Sequence, residues 1–129
     1  MAGSVRCMTT RGAIGLFQGG RAALGAVLVV APQVIGERWI GAQAGTRPGQ
    51  IALQALGARD LVLGLGAMRA ARRGDARSVA AWCVALAACD TVDGIATVAA
   101  REEIPNAGVP TMALAFGAAV AGLYLASQV

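Results

Sequence analysis

Residues 85–100 read ALAACDTVDGIATVAA, a run of small apolar residues suited to the interior of a bilayer. Two carboxylates, Asp90 and Asp93, stand in its middle. The run belongs to a chain of 129 residues in which 57% are hydrophobic and only 14% charged, with a mean hydropathy of +0.62. Such a composition is too apolar for an ordinary soluble domain. Four stretches approach the roughly 20 residues needed to cross a hydrocarbon core: about 14–36, 51–69, 78–100 and 107–128. They use up most of the chain, so 1–129 is expected to form a single all-α domain, an antiparallel four-helix transmembrane bundle.

Charge placement sets the expected orientation. The net charge is +4, and all eleven basic residues are arginine. With the N-terminus inside, Arg6, Arg11, Arg69, Arg72, Arg73 and Arg77 share the cytoplasmic side. Arg38, Arg47 and Arg101 lie opposite. That asymmetry predicts both termini in the cytoplasm and a multi-pass location in the inner (plasma) membrane, and it accounts for the basic surplus without nucleic acid as a partner. Trp39, Trp82 and Tyr124 fall near span ends, where amphipathic rings anchor helices at the interface. The first span is expected to be retained rather than cleaved as a signal peptide, because Arg21 interrupts it and further spans follow. Pro32 is expected to kink its outer end.

Small residues indicate how the helices meet. In lipid, helices associate by close backbone approach rather than by hydrophobic contact. Gly57, Asp60, Gly64 and Ala67 recur at spacings of three or four along the second span. Cys83, Ala87, Asp90, Asp93, Gly94 and Thr97 form a matching, partly polar stripe on the third. Both stripes are expected to face the bundle interior. Cys83 and Cys89, six apart on one helix, point in different directions and read as small buried hydrophobes.

Arg59, Asp60, Asp90 and Asp93 share a level, about 10–15 Å below one face of the hydrocarbon layer at 1.5 Å per residue. A charge at that depth costs at least ~2.5–3.5 kcal/mol, so the four are expected to pair. Arg59 is expected to pair with Asp90 or Asp93, and its forked guanidinium can bridge the two. Asp60 is left to be protonated or to meet Arg21. One arginine cannot neutralise three carboxylates, so Arg21 or Arg101 reaches in, a proton is held, or a cation binds. Thr97 completes the candidate set.

Several chemistries are excluded. The chain has no histidine, which removes His-based general base catalysis and His-containing zinc or haem sites. DTVDG matches the opening of the DxxDG signature of CDP-alcohol phosphotransferases, but no Asp follows Asp93, so half of the metal-binding set is missing. Small multidrug-resistance pumps carry an essential Glu in the first helix, where this chain has none. With no nucleophile–base pair and no complete metal set visible, the expected protein is non-enzymatic and needs no cofactor. Its Arg/Asp belt is expected to be structural and able to bind a small ligand or a partner helix. Helices rich in small residues would also suit a homo-oligomer or a membrane complex. The alternative is a small proton- or cation-coupled carrier using Asp90 and Asp93.

The pattern RAALGAVLVVAP (21–32), RWIG (38–41), RPG (47–49), ALGARDLVLGLGAM (55–68) and VDG (92–94) resembles a family of small actinobacterial membrane proteins. LGARDLVLGLG, residues 56–66, is its most specific part. Members carry about four helices and a domain of unknown function. The resemblance spans about 21–101 and implies fold and membrane location, with no activity or ligand.

Overall fold

The computed structural model describes residues 2–104 and 109–129, with side chains for 10, 12–104 and 112–129. Five α-helices account for most of the described residues, and no strand occurs among them: α1 (Ala2–Val30), α2 (Pro32–Ile40), α3 (Arg47–Arg73), α4 (Ala76–Ala99) and α5 (Val109–Ala126). A short 3-10 helix, Gly41–Gly45, joins α2 to α3.

Among the described residues, three segments are long and apolar enough to cross a membrane: Gly12–Val30 within α1, Arg47–Arg73 and Ala76–Ala99. The described apolar part of α5, Met112–Ala126, is shorter. The outer surface suits a membrane too. Leu16 is 82% exposed and Leu114 73%, and Val62, Val92, Ile95 and Val120 also point outward. A surface this apolar fits lipid rather than water.

The first expected span, 14–36, is not continuous. Pro32 has no N–H to donate, and its ring restricts the residue before it. Ala31 leaves helical geometry at φ −143°, ψ 63°, so α1 ends at Val30. The chain then continues into α2, which packs against the N-terminal part of α3. Leu28, Ala44 and Leu53 are buried there, with Ile35, Trp39, Ile40 and Leu56 packed around them. Trp39, expected as an interface anchor, is a half-buried packing residue here. Gly36 fits directly against Leu53, where a side chain would collide.

Capping fixes the remaining ends. Thr46 caps α3 by accepting from Gly49 N–H at 3.2 Å. Gly74, at φ 72°, closes α3 in the left-handed conformation with its N–H on the last-turn carbonyls. Asp75 immediately caps α4, accepting from Ser78 N–H at 3.0 Å. The tight reversal lays α4 beside α3.

The contacts follow opposed numbering. Gly25 meets Gly57 and Leu61, while Ala22 meets Gly64 and Gly19 meets Met68. At Gly25 an added Cβ would lie 2.6 Å from Gly57 O and Leu61 N, so the backbones of α1 and α3 touch directly. Gly66 receives the Trp82 ring of α4, and Gly94 receives the Phe116 ring of α5. Ile14, Ala70, Ala71, Val79 and Cys83 form a second core near the Gly74 turn, covered by Trp82, Leu125 and Ala126. The expected stripes are buried but for Asp93, which is partly exposed: Gly57, Asp60, Gly64 and Ala67 on α3, and Cys83, Ala87, Asp90, Gly94 and Thr97 on α4.

Candidate functional site

The polar belt lies where three helices converge. α1 supplies Arg21, α3 supplies Arg59 and Asp60, and α4 supplies Asp90 and Asp93. Each aspartate sits on its helix where small neighbours let the backbones approach, which brings side chains from different helices within reach.

Two forked pairs organise the belt. Arg21 grips Asp90 with both terminal nitrogens, NH1 to Oδ1 at 2.7 Å and NH2 to Oδ2 at 2.6 Å. Arg59 grips Asp93 in the same way, at 3.1 and 2.7 Å. Arg59 also turns back on its neighbour: its Nε and NH2 donate to Asp60 Oδ1 at 3.1 and 2.9 Å. Bidentate charge-assisted bonds of this kind are short, strong and geometrically specific.

This pairing corrects the expectation in three respects. Arg59 pairs with Asp93, one of its two expected partners, but does not bridge it to Asp90, which Arg21 takes. Adjacent Arg59 and Asp60 do bond, because the long arginine stem folds back across the roughly 100° that separates neighbours on a helix. Thr97, though buried, stays outside the network; its hydroxyl donates to the Asp93 carbonyl one turn earlier at 2.7 Å. The expected meeting of Asp60 with Arg21 occurs as a longer ion pair, 3.7 Å from NH1 to Asp60 Oδ2. Arg101 is exposed at the end of α4.

Burial grades the two pairs. The Arg21 and Asp90 side chains are 10% and 7% exposed, whereas Arg59 and Asp93 are 28% and 22%. Arg21 also lies over the Phe17 ring, 5.9 Å from its centroid, a cation–π contact that helps hold a guanidinium in an apolar setting. Its Nε, together with Gln18 Oε1 and Trp39 Nε1, is buried without a protein hydrogen-bond partner.

Beside the belt lies a cleft of about 470 Å³. α1 packs chiefly on α3, and α5 on α4, so the cleft falls between the α1 and α5 walls with α2 at one end. Leu24 and Leu28 face Leu114, Ala115 and Ala118 across it, and Ile35, Trp39 and Leu56 close the α2 end. Arg21, Asp60, Asp90 and Asp93 line its polar side, and the exposed Arg38 stands at the rim. The volume falls within the usual range of small-molecule sites, roughly 300–1,000 Å³. Sequence alone did not reveal these walls. Leu24, Leu28 and Leu114 read as ordinary span residues, and Ile35, Arg38 and Trp39 reach the cleft from α2, beyond the helix break at Ala31.

Comparison with known proteins finds no matching family model, no matching curated protein and no matching solved structure. The chemistry of the site therefore has to be read from its own residues.

Proposed function

We propose that this protein is a non-enzymatic integral membrane protein in which the Arg/Asp belt staples α1, α3 and α4 and floors a ligand-binding cleft. The observation that carries the reading is the coincidence of a charge network with a side cavity. Arg21, Asp60, Asp90 and Asp93 belong to both. A clasp alone needs no cavity, and a ligand site profits from polar groups already fixed in place.

In this proposal α5 is the fourth membrane-crossing helix, both termini face the cytoplasm, and the protein resides in the plasma membrane, alone or as a homo-oligomer. The arginine-rich turn at Arg69–Arg77 supports that orientation. Reporter fusions at residues 43 and 74 are expected on opposite sides; two cytoplasmic signals would refute it. For the cleft, purified protein is screened by thermal unfolding against small amphiphiles. Ala118→Phe, which fills the cleft from α5, is expected to abolish any stabilising shift. Equal shifts in both proteins would overturn the ligand site.

One observation favours the carrier as a second reading: three carboxylates face two guanidinium groups, which leaves a place for a proton or a cation. Both oxygens of Asp90 and of Asp93 are held by arginine, so the mobile charge would sit on Asp60 instead. Uptake into proteoliposomes, abolished by Asp60→Asn in a folded protein, would support it.

A further inference from the structure

Each carboxylate oxygen of the belt can be followed to its donor. Asp90 Oδ1 and Oδ2 accept from Arg21, Asp93 Oδ1 and Oδ2 accept from Arg59, and Asp60 Oδ1 accepts from Arg59. Among the described residues Asp60 Oδ2 has no such donor, and the Arg21 guanidinium at 3.7 Å stands beyond hydrogen-bonding distance. The side chain is only 8% exposed, yet Asp60 lines the cleft. The five charges of the belt sum to one negative, and that surplus coincides with the one belt oxygen left without a donor among the described residues.

From this we infer that the cleft binds a lipophilic monocation, a protonated amine on an apolar body, whose N–H donates to Asp60 Oδ2. The inference rests on the reading of the cleft as a ligand site. Charge, hydrogen bonding and shape point the same way. A largely buried, net-negative group calls for one positive charge. An acceptor-only carboxylate oxygen calls for a donor. The leucines, Ile35, Phe17 and Trp39 offer an apolar body a lining of hydrocarbon and aromatic rings, and those rings also favour a cation. A chelated metal fits less well, because among the described residues no three His, Cys, Asp or Glu side chains are placed to hold one. The groups that face Asp60 are Arg21 from α1, Arg59 from α3, and Asp90 and Asp93 from α4. Arg38 of α2 lies at the exposed rim, and the described lining residues of α5 are uncharged.

The test uses three probes that share one chain and differ in the head: dodecylamine, dodecanol and dodecanoate. Binding is read from Trp39 emission in the detergent-solubilised full chain carrying Trp82→Phe, so that the reporter is the tryptophan that lines the cleft. Dodecylamine is expected to give a saturable change that weakens at least tenfold in Asp60→Asn, with the other two probes giving none over the same range. Ala118→Phe is expected to weaken dodecylamine as well, which keeps the proposal testable should Asp60→Asn fail to fold. Undiminished dodecylamine binding in folded Asp60→Asn would overturn the cation assignment. So would dodecanol or dodecanoate binding as tightly as the amine; if Ala118→Phe then removed that binding, the cleft itself would stand as a ligand site. No saturable response to any probe would overturn both readings.

Discussion

Replacing Arg21 by Met keeps an unbranched apolar stem and removes the guanidinium with its charge and donors. Both Asp90 oxygens then lose their partners at 2.6 and 2.7 Å, in a setting where the Asp90 side chain is 7% exposed. Asp60 loses its second cation at 3.7 Å. Stranding one partner of a buried pair costs about 3–5 kcal/mol. The Phe17 contact adds little, since a methionine still packs on the ring. The folding constant should therefore fall by about two to four orders of magnitude. The assay is unfolding in mixed micelles under increasing SDS, followed by far-UV circular dichroism. Arg72→Met, on an exposed arginine of the last turn of α3, serves as the control and should stay within about 0.5 kcal/mol of the parent. Adding Asp90→Leu to Arg21→Met removes the stranded carboxylate and should recover most of the loss, because apolar replacements of a buried pair are often neutral. A cost below about 1 kcal/mol for the single variant, or a double variant no better than the single, would refute the reasoning.

Three further outcomes follow from the same geometry. Arg59→Met should cost less than Arg21→Met, about 1–3 kcal/mol, because its side chain is 28% exposed, and Asp93→Asn should recover part of that loss in the same unfolding assay. Gly25→Ala should destabilise by about 1–3 kcal/mol, since its Cβ would meet Gly57 O at 2.6 Å; Gly15→Ala, with nothing within 4 Å, should be neutral or stabilising. Hydrogen bonds from Ser78 hold the Asp75 carboxyl below its usual range. A lowered folded value means that its contribution to stability is complete above pH ~4 and fades as acid titrates it. Thermal midpoints measured from pH 6 to pH 2 should show that fading in the parent and a smaller acid dependence in Asp75→Ala.

Composition and period made the helices legible. The apolar stretches at 51–69 and 78–100 lie within or close to α3 and α4, and the small-residue stripes named the buried faces of both helices. Depth counting from the helix ends brought Arg59, Asp60, Asp90 and Asp93 to one level, and the structure gathers them. Partner choice was less accessible. Arg21 lies on a helix whose azimuth is set by its packing against Gly57 and Gly64, and nothing local to Arg21 announces that it faces Asp90. The cleft was hidden for a similar reason. Its α2 end depends on the helix break at Ala31, and the pattern of 14–36 reads equally well as one kinked span. Spacing along a helix shows which residues share a face, whereas the residue opposite depends on the rotation of the neighbouring helix.

The central claim is that two separate Arg–Asp forks, one from α1 and one from α3, close on α4 inside the membrane. Solid-state NMR of the protein in lipid bilayers tests it most directly, with ¹⁵N-labelled arginine and ¹³C-labelled aspartate and with dipolar recoupling between guanidinium nitrogens and carboxyl carbons. Residue assignments come from single Arg21→Met and Arg59→Met samples. The account predicts strong couplings for Arg21–Asp90 and Arg59–Asp93, matching N···O distances of 2.6–2.7 Å, with none for Arg59–Asp90. A coupling from Arg59 to Asp90, or an Arg21 guanidinium with no carboxyl nearby, would contradict it.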